Sequence, residues 1–286
     1  MWVYRKGTSK PPEKRAPKNI AIESDFYSVE TDTAGKIEAV EEALSRLESR
    51  VAPILRRVIA SQQVPRGKER LMCAFLLAVM LTRTAKARKE INAAIQDLAR
   101  KMNLVVAQSE DRLKAVVRRM ERETGKHVDM PVDKLRKFIL DGQYDIIPGK
   151  QWSLMAMIQV SPTLVPVLAG MKWRIHVAPN QCVYVTSDNP VVIAESGTSR
   201  LLSPCGLFTN NVMVTLPLNS QVCLSLMWTG SDGNYGVTKR KVLETNKRTI
   251  VFADKYVYSS KPLKSVQYLV QHSLTAETMT LRVELA

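Results

Sequence analysis

The feature that most constrains the fold of this chain is a change of period at Trp173. Before it, apolar residues recur at helical spacing; after it, short β-branched runs alternate with turn residues. From Gly35 onward, Ile37, Val40, Leu44, Leu47, Val51, Leu55 and Val58 keep the i, i+3, i+4 spacing of an amphipathic helix. Pro53 sits inside that stripe and predicts a kink or break, because it lacks an N–H and crowds the preceding turn. The pattern predicts further helices over 67–84, 86–103, 108–124, 131–140 and 150–170, with Gly125 placed to cap the fourth. Beyond Trp173 the runs WRIHV, CVYVTS, PVVIA, VMVTLPL, QVCLSLMW, TIVFA and YVYSS read as strands, and MTLRVEL in the 262–286 tail as a final one. Ala178-Pro179-Asn180, Ser196-Gly197, Asn219-Ser220 and Ser231-Asp232-Gly233-Asn234 read as the turns between them.

Helices followed by strands predict an α+β fold, a helical half packed on a mainly antiparallel sheet. The expected divisions are an extended arm or hairpin over 1–34, a helical region over 35–171 and a β-rich region over 172–286, forming one composite domain. A chain of 286 residues with 45% hydrophobic content can bury a sizeable core. No membrane span is expected: the apolar run 71–81 is short, and 154–171 carries Gln159, Ser161 and two prolines. No basic-then-apolar leader opens the chain, so a cytoplasmic location is the expectation.

Cys73, Cys182, Cys205 and Cys223 show no CxxC spacing, and His127, His176 and His272 lie far apart, a pattern that speaks against structural zinc. Buried, reduced thiols are the simpler reading. The net charge of +15 is uneven: residues 51–126 hold 17 Lys/Arg against 7 Asp/Glu. Such an excess attracts polyanions, nucleic acid among them, although a solvated helix surface is the simpler reading and no RNP-like strand, GXXG loop or zinc finger is present.

Several polar residues stand where the pattern points inward. With Leu44 as origin, Glu41 falls at about +60° and Glu48 at about +40° on the helical wheel, within the apolar arc. A carboxylate at a core edge needs an ion pair, hydrogen bonds, a proton or a cation. Arg83, at the edge of the second helix's apolar face, is the candidate counter-charge, because an antiparallel helix pair would bring it alongside Glu41 or Glu48. In VYVTSDNPVVI, Ser187, Asp188 and Asn189 precede Pro190. An Asx-turn is the simpler reading; a polar site at a strand end, holding a metal-bound water or ligand, is the sharper one. Walker, GxGxxG, HExxH and GxSxG signatures are absent, which leaves metal-dependent phosphodiester chemistry open.

The segments VYRKGTSKPPEKRAPKNIAIESDFYSVE (3–30), VEEALSRLESRVAPIL (40–55), AFLLAVMLTRTAKAR (74–88), VYVTSDNPVV (183–192) and TNKRTIVFADKYVYS (245–259) together resemble a bacterial domain-of-unknown-function family, DUF4238. The resemblance runs in order along nearly the whole chain. It implies one site built from Glu48 with Glu41, Arg83, Ser187, Asp188, Asn189, Pro190 and Asn246. Two departures stand out: the family's His-Tyr-Val-Pro-Gln segment has no counterpart before Val3-Tyr4, and Arg83-Thr84-Ala85 replaces Arg-Thr-Pro. The missing histidine fits either a truncated or misassigned start or, where the family's chemistry uses it, an inactive chain.

Two functions are therefore expected. In one, Glu48 and Asp188 hold a divalent cation or activate water, and Arg83, Glu41, Ser187, Asn189 and Asn246 bind a phosphate-containing or nucleic-acid substrate, in an active or decayed enzyme. In the other, the same residues are structural, in a non-catalytic interaction or ligand-sensing protein.

Overall fold

The structure, a computed structural model, describes residues 1–16, 34–142, 144–196 and 206–272. It is α+β, as the change of period predicts, and divides into two compact units, Met1–Ala87 with Met157–Ala286, and Arg88–Ala156.

In the first unit, α1 (Ala34–Ser61) and α2 (Gly67–Thr82) form a helix pair, and α6 (Lys150–Gly170) enters the unit at Met157. A five-stranded sheet follows, in the order β5 (Val192–Glu195), β6 (Val212–Pro217), β7 (Val222–Met227), β3 (Lys172–Val177), β8 (Gly233–Gly236). All neighbours are antiparallel except β3 and β8. Alternation along these strands sends Trp173, Ile175, Val212, Val214, Leu216, Val222, Leu224 and Leu226 to one face. There they meet Val51, Ile54 and Val58 of α1, Cys73, Ala74, Leu77 and Ala78 of α2, and Leu168 of α6. Each large aliphatic side chain so buried contributes on the order of 2 kcal/mol.

Arg70 of α2 ties this layer together. Its Nε donates to the Ala169 carbonyl (2.9 Å), Nη1 bonds Asp232 (2.5 Å), Nη2 donates to the Met171 carbonyl, and the guanidinium lies 5.1 Å from the centre of the Trp173 ring. Asp232 also accepts the Trp173 N–H at 2.8 Å. Burial works against its charge, but the Arg70 and Trp173 hydrogen bonds prevail and hold its carboxyl below the usual range.

The opposite face is polar. Register places His176 beside Cys223 on β7, and Ser225 between Arg174 and Thr215. Helix α7 (Lys239–Phe252) packs there, Val242 against Cys223, Ala178 and Tyr184. Its C-terminal part joins a second sheet, ordered β2 (Glu13–Lys14), β1 (Trp2–Arg5), β9 (Tyr256–Ser259), β4 (Thr186–Ser187), and α8 (Lys264–His272), around Tyr4, Val185, Ile250, Val257 and Val266.

The second unit holds most of α3 (Ala85–Ala107), then α4 (Glu110–Thr124) and α5 (Val132–Leu140). Ser109 caps α4 by accepting the Arg112 N–H (3.4 Å), and Gly125, at φ +67°, ends it as the sequence predicts. Arg136 of α5 donates to the Ala107 carbonyl at 2.8 Å, which ties α5 to the end of α3.

Three expectations need correction. Helix α1 is continuous through Pro53, which is exposed. The run TIVFA, expected as a strand, is the last turn of α7 and the residue after it. The turn expected at 231–234 leads directly into β8. The 262–286 tail begins with α8, while its expected strand MTLRVEL and residues 17–33 of the expected arm lie outside the described residues. Among the described residues, Trp152–Gly170 is long and apolar enough to cross a membrane by length and composition, with mean hydropathy 1.5. Within it, Met157, Ser161 and Leu168 form a narrow buried stripe, and Ser161 Oγ bonds Thr82 Oγ1 of α2 at 2.8 Å, whereas Trp152, Met155, Ile158 and Val160 are exposed.

Candidate functional site

Asp188 follows β4, whose Thr186 and Ser187 pair with Tyr258 and Val257 of β9. The chain turns there toward Pro190, and the carboxylate of Asp188 faces the backbone between α7 and β9. Its Oδ1 accepts the Asp254 N–H (2.9 Å), and Oδ2 accepts those of Lys255 (2.6 Å) and Tyr256 (2.9 Å). The turn is closed by the Asp188 N–H, which donates to the Tyr256 carbonyl at 3.2 Å. Ser187 Oγ donates to the Asn189 carbonyl (2.9 Å) and accepts the Asn189 N–H (3.2 Å); Asn189 Nδ2 donates to the Phe252 carbonyl (3.0 Å). The Asx-turn expected at Asp188 is not formed: the residue two positions on is Pro190, which has no N–H, so the local turn bond is made by Ser187 instead and the carboxylate takes donors more than sixty residues ahead.

Lys6 approaches from the segment after β1. Its Nζ donates to the carbonyls of Val251 (2.9 Å) and Ala253 (2.8 Å), at the C-terminal end of α7, where a cation also complements the helix dipole. Burial lowers the pKa of Lys6, and Lys86 adds to that effect; Asp188 and Asp254 oppose it. Lys86 itself stands 4.8 Å from the centre of the Phe252 ring. Two cations and two carboxylates therefore surround the end of α7, a polar cluster in which sequence reasoning identifies Asp188 and misses Lys6, Lys86 and Asp254.

Asn246, on the buried face of α7, accepts the Val185 N–H through Oδ1 (3.0 Å) and donates from Nδ2 to the Val183 carbonyl (2.8 Å). Residues 183–185 precede β4, and the amide acts as a surrogate strand neighbour for them.

Glu48 and Arg83 meet as the helix-pair geometry predicts. Arg83 Nη1 donates to Glu48 Oε1 at 2.7 Å, with half of the Glu48 side chain and a third of the Arg83 side chain exposed. Such a pair is worth at most about 1 kcal/mol. Glu41 is exposed on α1. The bonds of Glu48 and Arg83 join α1 to α2; those of Asp188, Asn189 and Asn246 fasten α7 and the residues just after it to the turn following β4 and the segment before it, and Ser187 closes that turn.

Beneath α7 lies a second polar group that sequence reasoning passes over. His176 is 6% exposed, and its pKa is lowered to about 4 by burial, reinforced by Lys241 and Arg174. Cys223 is fully buried and its thiol is pushed up to about 12, so it stays protonated and inert. Among the described residues, the buried hydroxyls of Ser225 and Tyr184 have no hydrogen-bond partner. The signal in the sequence is the alternation in WRIHV and QVCLSLM, which resembles a solvent-facing pattern until a helix covers it. Among the described residues, no three His, Cys, Asp or Glu side chains are grouped as ligands for one metal ion.

No curated protein and no solved structure matches this chain. A family model described as "Protein of unknown function (DUF4238)" matches residues 1–262, nearly its whole length. The segments that carry the resemblance also supply the fastenings of α7, and the chain belongs to the DUF4238 family.

Proposed function

We propose that this is a non-catalytic interaction protein, in which Ser187, Asp188, Asn189 and Asn246 hold the fold together and a basic surface engages a polyanion such as nucleic acid. The observation that carries this reading is the carboxylate of Asp188, whose two oxygens take three backbone N–H groups at 2.6–2.9 Å. Three of a carboxylate's roughly four lone-pair sites are thereby taken by the backbone, which leaves little for a metal or a water. Glu48 is likewise engaged, by Arg83. The competing reading, a divalent-cation enzyme using both carboxylates on a phosphate-bearing substrate, requires them to serve one centre, whereas their bonds serve two separate junctions. The polyanion is supported by the +15 charge and by Arg50, Arg56, Arg66 and Lys68, all exposed on or beside α1 and α2.

The test pairs thermal unfolding with assays of nucleic-acid binding and cleavage in the presence of magnesium or manganese. Asp188→Ala should lose about 3 kcal/mol of stability, since three charge-assisted hydrogen bonds disappear. Glu48→Gln should remain folded and bind nucleic acid like the parent, and no variant should differ from the parent in cleavage. Metal-dependent cleavage that Glu48→Gln abolishes while the melting temperature stays unchanged would establish the enzymatic reading instead.

A further inference from the structure

The polar face of the five-stranded sheet, under α7, holds hydrogen-bonding groups that the chain itself does not satisfy. Register puts His176 of β3 opposite Cys223 of β7; Ser225, two residues further along β7 and on the same side, stands opposite Thr215 of β6. Helix α7 meets this face at two places. Val242 packs with Cys223 and Tyr184, and Arg248 Nη2 donates to the Glu195 carbonyl of β5 at 2.9 Å. Strand order places Thr215 and Ser225 between those two contacts, and both are buried. Thr215, Cys223 and Ser225 are short side chains, so the floor beneath the helix is low there.

The groups around this floor suit an anion. Ser225 Oγ and Tyr184 OH are buried and, among the described residues, have no hydrogen-bond partner, a state that disfavours folding unless a ligand answers it. Lys241 and Arg248 stand seven residues apart on the same side of α7. Burial and the charge of Arg248 lower the pKa of Lys241, with Glu244 and Cys223 opposing, and Lys241 in turn acts on His176. The Glu244 carboxylate lies closer to Arg240 (3.1 Å) than to Lys241 (3.9 Å). Lys239, Arg240 and Lys241 open α7, at the positive end of the helix dipole, and its first turn has no carboxylate. A metal cation would meet only like charge here, and water would bring the hydroxyls a partner without offsetting the cations. An oxoanion supplies negative charge beside Lys241 and acceptors for both hydroxyls. With Ser225 at 0% and Tyr184 at 3% exposure, the place admits a small free ion and excludes a polymer. The Lys241 side chain, partly exposed, marks the way in.

We propose that the space between α7 and the polar face of the five-stranded sheet binds one small oxoanion of the phosphate type, with Lys241 as counter-charge and Ser225 Oγ and Tyr184 OH as donors. This goes beyond the polyanion surface proposed above and uses none of its residues.

Calorimetric titration of the full chain with inorganic phosphate, at constant ionic strength in chloride, tests it. One phosphate should bind per chain, and Ser225→Ala and Lys241→Gln should each weaken binding about tenfold. Without phosphate, Ser225→Ala should melt no lower than the parent, because the hydroxyl it removes then has no partner. Should Lys241→Gln not fold, Ser225→Ala alone decides. Absence of saturable binding, binding that neither substitution weakens, or a Ser225→Ala chain that melts lower without phosphate would overturn the proposal. So would phosphate that an oligonucleotide displaces, or that is lost when Arg56, Arg66 and Lys68 become Gln, since either result puts the ion on the outer surface. Nucleic-acid binding measured on the same variants reads the surface separately, so the two proposals fail independently.

Discussion

His176 shows what a single buried side chain does to the pH response of the fold. An unfolded imidazole takes up its proton near pH 6.5, whereas in the folded chain protonation is delayed to about 4. Between these values the unfolded state binds more protons, so stability falls as the pH drops through this window and is flat above it. The expected loss is on the order of 3 kcal/mol. It can be measured by denaturant unfolding at a series of pH values, and His176→Leu should flatten that part of the profile. Asn246 makes a different prediction at the same scale. Asn246→Ala strands the Val185 N–H and the Val183 carbonyl in the interior, and should cost about 3 kcal/mol, read as a lower denaturation midpoint with an unchanged slope.

Among the elements, helices with an apolar stripe were legible in the sequence, and α1, α2 and α6 fall close to their predicted limits. Helix α7 was not, for a physical reason. Its buried face is Val242, Thr245, Asn246, Arg248, Thr249 and Ile250, mostly polar, so the hydrophobic period that marks a helix is missing. Its last turn, Thr249-Ile250-Val251-Phe252, has strand-like composition, and tertiary burial overrides that local preference. Of the candidate site, the turn at Asp188 and the pairing of Glu48 with Arg83 could be read from local chemistry and helix geometry. The three N–H donors of Asp254, Lys255 and Tyr256 could not, because nothing local links them to Asp188. The polar sheet face escaped for a related reason: alternation shows that His176 and Ser225 share a side, and only α7 shows that the side is covered.

For the molecule as a whole, the charge belongs mainly to one unit. Residues 88–156 carry 14 Lys/Arg and 10 Asp/Glu, so eleven of the fifteen surplus positive charges lie in the other unit. Nucleic-acid binding, if driven by Arg56, Arg66 and Lys68, should weaken linearly on a double-logarithmic salt plot. Replacing these three by Gln should lower the slope by about one for each phosphate contact removed, without moving the melting temperature.

The four-stranded sheet carries a further consequence. Its central pair joins Trp2–Arg5 to Tyr256–Ser259, so one side of β1 finds its β2 neighbour at once while the other waits until the chain has been made as far as β9. Loop closure over such a span is slow, and an edge waiting unpaired in the meantime invites wrong partners. Premature termination before residue 256 would therefore leave β1 with β2 alone beside it and one edge open, and nascent chains of that length should be the ones most dependent on chaperones.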